Sequence, residues 1–237
     1  MCPRGLAVQP FTNNLIVADN WNHRIQVVSV DNKTCHACYK IGGGVGGNDV
    51  GTKNGQLKNP YGLCVDSTSS IVVADFYNHR VQLFDSSGRF MSTFGSRGNS
   101  SYQLETPYDI CYLSPHFSSS FQTTSNSSLL LITDYWNKRL CVCDVSSNNY
   151  SHKPVAQINL SGLPETVCTD MNGFVYVCYR VIYKNTTHTI GMIDVRDPIM
   201  GFDLIQTIIG NFSAMTINPN NVLVIYEDHT NCLQFFE

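Results

Sequence analysis

Three segments of the chain read almost alike. They are Ile16-Val-Ala-Asp-Asn-Trp-Asn-His-Arg-Ile-Gln-Val, Val73-Ala-Asp-Phe-Tyr-Asn-His-Arg-Val-Gln-Leu-Phe and Ile132-Thr-Asp-Tyr-Trp-Asn-Lys-Arg-Leu-Cys-Val. A segment that returns about every 50 residues marks a chain built by repeating one supersecondary unit. Each unit covers the apolar face of its neighbour, and chains of this kind present extended binding surfaces. The repeat therefore points toward an interaction module before it points toward an enzyme.

A second motif precedes each copy. It runs Pro3-Arg-Gly-Leu-Ala-Val, Pro60-Tyr-Gly-Leu-Cys-Val-Asp, Pro107-Tyr-Asp-Ile-Cys-Tyr and Pro164-Glu-Thr-Val-Cys-Thr-Asp, with a degenerate fifth copy at Phe212-Ser-Ala-Met-Thr-Ile-Asn. The starts fall at 3, 60, 107, 164 and 212. Degenerate copies of the other part are Val175-Tyr-Val-Cys-Tyr with Gly191-Met-Ile-Asp-Val, and Val224-Ile-Tyr-Glu-Asp-His-Thr-Asn-Cys-Leu-Gln-Phe-Phe. These segments are short, rich in β-branched and aromatic residues, and bounded by Gly, Pro, Asn, Asp or Ser, as strands are. No window carries a helical apolar stripe. Four short strands per repeated unit make one blade of a β-propeller. The expectation is an all-β chain, one domain over 1–237, with about five four-stranded blades.

These residues resemble the NHL-repeat family. Asn22-His23-Arg24 and Asn78-His79-Arg80 match its motif, Asn137-Lys138-Arg139 nearly so, and the Pro-x-Gly-Leu-x-Val-Asp strand and the Phe94-Gly95 segment match as well. The resemblance is specific for the first three repeats and weaker for the last two. It implies a propeller, most often of six blades. It implies a non-catalytic scaffold for a protein partner, with alternatives: the substrate-recognition part of an NHL-type ubiquitin ligase pathway, an RNA-binding propeller, or a lyase or lactonase. The RING, B-box and coiled coil that precede such ligase propellers have no counterpart here. For the enzymatic reading, Asp109 stands where the first two repeats have Gly, and Glu165 follows in the next repeat.

The strand count is 19, four in each of the first four blades and three in the last, where a six-bladed ring would need 24. Either five blades close with an imperfect seam, or the chain is part of a longer protein. The second is the expectation, because an unpaired strand edge invites aggregation.

A chain of 237 residues with 43% hydrophobic and 14% charged residues can bury a sizeable core and is no polyelectrolyte. Its net charge is −3, with only 15 Lys plus Arg, which argues against DNA and leaves RNA a minor reading. No signal sequence and no run of 18 apolar residues is present, so neither a membrane span nor secretion is expected. The cytoplasm is the expected location, and secretion remains the alternative for an N-terminally truncated chain. Seven Asn-x-Ser/Thr sequons, at Asn32, Asn99, Asn126, Asn149, Asn159, Asn185 and Asn211, are only a mild excess over chance. The stretch from Ser114 to Ser128 reads as a surface insertion.

Within the repeat, Asp19, Asp75 and Asp134 are expected to accept backbone N–H bonds in the turn. Asn22, Asn78 and Asn137 suit a left-handed position. Arg24, Arg80 and Arg139 can reach back to the Asp or to a neighbouring blade. Cys64, Cys111 and Cys168 share a column with Ala7 and Thr216 that wants a small buried residue. Cys35-His-Ala-Cys38 sits in an expected turn and, lacking a second Cys pair, reads as neither redox nor metal site. Gly42-Gly-Gly-Val-Gly-Gly47 lacks the Gly-Lys-Ser/Thr ending of a phosphate loop and reads as an inter-blade connection. No catalytic residue, metal or cofactor is expected.

The turns between second and third strands share one face of a propeller with the blade starts. The candidate binding residues on that face are Trp21, His23, Tyr61, Tyr77, His79, Tyr108 and Trp136. Tyr and Trp beside cations are the residue types enriched at interaction hot spots.

Overall fold

The computed structural model describes residues 3–30, 34–43, 50–113, 128–146, 151–183, 185–194, 204–210, 212–217, 220, 222–227 and 232–236. Most of the 114–128 insertion and Gly44 to Gly47 lie outside them. The fold is all-β, and its five antiparallel sheets are the blades of a β-propeller. Among the described residues there are 19 strands, and no helix is long and apolar enough to cross a membrane.

The first blade comprises β1 (Pro3–Val8), β2 (Leu15–Asp19), β3 (Arg24–Val30) and β4 (Cys35–Gly42). The second comprises β5 (Pro60–Val65), β6 (Ile71–Asp75), β7 (Arg80–Phe84) and β8 (Phe90–Phe94). The third holds β9 (Pro107–Leu113), β10 (Leu129–Asp134), β11 (Arg139–Ser146) and β12 (Ser151–Asn159). The fourth holds β13 (Leu163–Thr169), β14 (Phe174–Tyr183), β15 (Asn185–Asp194) and β16 (Leu204–Gly210). The last has three strands, β17 (Phe212–Ile217), β18 (Leu223–Glu227) and β19 (Cys232–Phe236). In every sheet the strands lie in chain order, as a meander does. The chain divides into two compact units, 1–110 and 111–237.

In the first unit, alternation along the strands sends Ile16, Ala18, Ile25, Val27 and Ile41 of the first blade against Leu63, Ile71, Val73 and Phe84 of the second. Two-residue periodicity puts these side chains on one face of each sheet. The Pro-x-Gly motif has its reason here. A Cβ on Gly5 would stand 2.4 Å from the Tyr61 carbonyl oxygen, and one on Gly62 would stand 2.5 Å from the Asp109 Cα. The first strands of successive blades approach too closely for a side chain at that position. In the second unit, Leu131, Leu140, Val142, Val167, Val175 and Val177 form one core cluster, and Cys178, Ile190, Met215 and Ile225 another.

The small-residue column is less buried than the sequence suggests. Cys64, Cys111 and Cys168 are half-buried, and Thr216 is exposed. Cys111 and Cys168 still pack against the core clusters. Cys35 and Cys38 lie in β4 rather than in a turn, and both are exposed. Cys38 is the extra residue of a bulge, because Val27 pairs with Tyr39 and Val28 with Ala37.

Candidate functional site

Each Asp-x-x-Asn-His-Arg turn is a carboxylate clamp. Asp75 is fully buried and accepts bonds from Asn78 Nδ2 (2.8 Å), Arg80 Nε (2.7 Å), Gln82 Nε2 (3.0 Å) and the Lys58 backbone N–H (2.6 Å). Asp19 accepts from Asn22 Nδ2 (2.9 Å), Arg24 Nε (2.9 Å) and Gln26 Nε2 (2.7 Å). Asp134 accepts from Asn137 Nδ2 and Arg139 Nε, both at 2.8 Å. At Asp19 and Asp75 the donors from the turn are side chains of the motif itself, and the backbone donor to Asp75, Lys58, comes from the segment before the second blade. Arg80 goes further. Its Nη atoms donate to the carbonyls of Thr52, Lys53 and Gln56, tying the segment before the second blade to the turn.

The left-handed position is also reassigned. It is held by His23 (φ 54°), His79 (φ 55°) and Lys138 (φ 52°), not by the Asn residues. Asn22 and Asn78 end short 3-10 turns, Asn20–Asn22 and Phe76–Asn78, where their side chains are needed on the Asp. The histidines then tie successive blades together. His23 Nδ1 accepts the Asn59 N–H at 3.0 Å, and His79 Nδ1 accepts the Thr106 N–H at 3.2 Å. The acceptor must be unprotonated. Burial holds the His23 ring below the ordinary histidine range, and the Lys58 charge adds to this against the opposing pull of Asp75.

The two clamps differ electrostatically. Burial, the largest influence on Asp75, raises its carboxyl above the usual range despite four hydrogen bonds and the Arg80 charge. Burial also pushes Asp19 upward as its largest single influence. There the bonds from Asn22, Gln26 and Arg24, with the Arg24 charge, together hold the carboxyl below the usual range.

The 3-10 turn sorts its aromatic residues. Its first residue points inward: Phe76 is buried, and so is Tyr135 at the corresponding place. The next points outward, with Trp21 71%, Tyr77 50% and Trp136 57% exposed. Tyr61 and Tyr108 are half-buried. Tyr61 stacks on Phe76 at 4.2 Å between ring centroids and meets Tyr108 edge-on at 4.7 Å. Phe76 meets Tyr77 edge-on at 4.8 Å. The Arg4 guanidinium lies 5.2 Å over the Tyr61 ring. In the first unit the structure thus brings Tyr61, Tyr77 and Tyr108 into one aromatic cluster, with Trp21 and the two histidines on the adjoining turns. Trp136 belongs to the second unit, where it packs edge-on against Tyr135 at 5.2 Å.

Asp109, raised for an enzymatic reading, accepts the Ile110 N–H through its Oδ1 at 2.9 Å. Glu165 sits among residues the repeat motif does not mark. Arg180 Nη2 lies 2.6 Å from Glu165 Oε1 and also donates to the Tyr135 hydroxyl, while His188 Nε2 lies 3.4 Å from Glu165 Oε2. Arg180 and His188 are directly opposed across β14 and β15, beyond the place where other blades make their turn. That hairpin was legible only as two degenerate strands. Among the described residues, no three His, Cys, Asp or Glu side chains converge as a metal-holding group.

Comparison with known proteins agrees with the repeat. The family model described as NHL repeat matches residues 1–28 and 57–84. The chain is 42% identical over 59 residues to protein brain tumor of Drosophila melanogaster, a stretch covering 25% of this chain and 6% of that protein. It is 32% identical over 95 residues to NHL repeat-containing protein 2 of Bos taurus, covering 39% of this chain and 13% of that one. The matched segments are therefore a small part of both relatives. Among solved structures, virginiamycin B lyase of Staphylococcus aureus superposes with a TM-score of 0.56 over 99% of this chain and 69% of its own, at 10% identity. At that identity the likeness is one of fold.

Proposed function

Because the chain is an NHL-repeat β-propeller, we propose that it is a non-catalytic scaffold that receives a protein partner on the turn face of its first two blades. The observation that carries this reading is the pair of outward rings, Trp21 and Tyr77, 71% and 50% exposed on turns whose backbones are fixed by clamps. A large ring held rigidly in water contributes contact area at little further entropic cost, which is what an anchor residue supplies. Phe76 packs edge-on against Tyr77 and is itself stacked on Tyr61, which meets Tyr108, and His23 and His79 tie these turns to the segments that follow. In the second unit, Trp136 is displayed in the same way on its own turn. The same surface serves a ubiquitin-ligase pathway if the protein it holds is a substrate or a RING-bearing chain.

The test is affinity capture with the intact chain beside a Trp21→Ala, Tyr77→Ala, Trp136→Ala variant. All three side chains are exposed, so the variant should keep the parent's melting temperature. Partners recovered by the parent and lost by the folded variant are the expected result. Equal recovery by both would remove recognition from these turns.

A further inference from the structure

We propose that the occupant of the turn face in the first unit is an acidic segment of a partner protein, which sets carboxylates against Arg4 and Lys58 and lays an apolar side chain over Trp21 or Tyr77. This rests on the scaffold reading above and adds the chemistry of the partner.

The argument begins with placement. Pro3 pairs with Asp19, so Arg4 stands beside the turn that carries Trp21. Its guanidinium lies 5.2 Å from the centre of the Tyr61 ring, which continues through Phe76 to Tyr77. On the other flank, the Tyr77 N–H donates to the Lys58 carbonyl at 3.2 Å, and Asn59 bonds both His23 and Asn20. Arg4 and Lys58 therefore lie on the two sides of the Tyr61–Phe76–Tyr77 aromatic run, on the face that also carries the Trp21 turn. Both cations are exposed, and neither is held by a carboxylate of another described residue.

The sign of the free charge follows. The acidic groups of this face are engaged. Asp19 and Asp75 are buried in their clamps. Glu105 pairs with Arg97 at 3.2 Å and lies 3.6 Å from His79. Asp109 is half-buried and accepts the Ile110 N–H. What remains for a partner is positive, on a chain whose net charge is −3. A local positive patch on a negative chain selects for an acidic sequence rather than for general adhesion.

Arg4 also suits a carboxylate in shape. A guanidinium engaged by an aromatic ring still offers N–H donors to a carboxylate, which it can hold by two parallel bonds. A nucleic-acid backbone asks for a track of cations, one for each phosphate. Two cations on a face with two exposed rings make a footprint for a short peptide.

The test is a display library of short random peptides selected on the full chain, and in parallel on an Arg4→Glu, Lys58→Glu variant. Both side chains are exposed, and circular dichroism and melting confirm that the variant folds. The expected result is enrichment of peptides carrying Asp or Glu next to an aromatic or aliphatic residue. Their affinity should fall at least about tenfold on the charge-reversed variant and weaken with added salt. Selected peptides without acidic bias, or acidic peptides that bind the charge-reversed variant equally well, overturn the inference. If such uncharged peptides are still lost on Trp21→Ala, the scaffold reading stands without it. Binding of a labelled oligouridine with no acidic peptide selected would overturn both.

Discussion

Replacing Asp75 by Ala is the sharpest probe of the clamp. Asp75 is fully buried, and its partner Arg80 is 9% exposed. The substitution removes the acceptor of four hydrogen bonds and strands the guanidinium Nε inside the protein. Breaking a buried ion pair from one side costs about 3–5 kcal/mol. Arg80 keeps its bonds to the Thr52, Lys53 and Gln56 carbonyls, which favours the lower end of that range. About 3 kcal/mol in a chain of this size lowers the melting temperature by about 6–12 °C. Asp19→Ala is the internal control. Its Arg24 side chain is 20% exposed and can hydrate when the carboxylate goes, so the loss should be about 1–2 kcal/mol. Thermal and urea denaturation followed by far-ultraviolet circular dichroism measures both. A double-mutant cycle with Arg80→Met should return a coupling of about 1–3 kcal/mol. If Asp75→Ala melts within about 2 °C of the parent, or if Asp19→Ala is the more damaging change, the clamp is not what fixes the turn.

Two further outcomes follow from the same geometry. His23 is held below its ordinary pKa, so the unfolded chain binds more protons than the folded one near and below pH 6.5. Its contribution to stability is complete above that pH and is lost as the pH falls beneath it. His23→Gln should therefore flatten the fall in melting temperature between neutral and mildly acidic pH, and an unchanged slope would dismiss the His23–Asn59 bond as its source. Gly62→Ala places a Cβ 2.3 Å from Asp109 Oδ1 and 2.5 Å from the Asp109 Cα, and backbone cannot yield as a flexible side chain can. A loss of about 1–3 kcal/mol is expected by denaturation; a neutral result would mean that the first strands of the two blades are less tightly apposed.

Much of the fold was legible because the repeat is local. Spacing of the Pro-x-Gly strands set the blade starts, and alternation of apolar residues set each strand. The site was legible only in outline. That Trp21, Tyr77 and Trp136 are carried on turns follows from the motif, but their outward aim does not. A 3-10 turn decides which of two adjacent aromatics faces in, and nothing in Phe76-Tyr77 as a pair of letters encodes that parity. The left-handed residue was misassigned for a related reason. Asn is the better intrinsic choice for that conformation, yet its amide is worth more on the Asp carboxylate, and the histidine that takes its place gains a bond to the next blade. The reason for glycine in Pro-x-Gly is invisible locally, since it lies in a strand some 50 residues away.

The fourth blade shows what a repeat search loses. Pro60 pairs with Asp75 in the second blade, and Pro164 pairs with Tyr179 in the fourth, so Tyr179 occupies the clamp position without a carboxylate. The hairpin then runs on through Arg180 and His188 to Tyr183 and Asn185 instead of turning. A carboxylate and a guanidinium still meet at this end of the sheet, but they come from other strands: Glu165 from the first and Arg180 from the second, with His188 added from the third. The Arg180 Nε and His188 Nδ1 atoms are buried there without a partner among the described residues, whereas all three guanidinium nitrogens of Arg80 are engaged. Buried polar groups left unpaired cost stability, so the fourth blade preserves the charge pairing of its neighbours in a less satisfied form. The requirement common to these blades is therefore not the Asn-His-Arg letters. It is an ion pair that closes the turn end of the sheet, and the letters are one solution among those the topology permits.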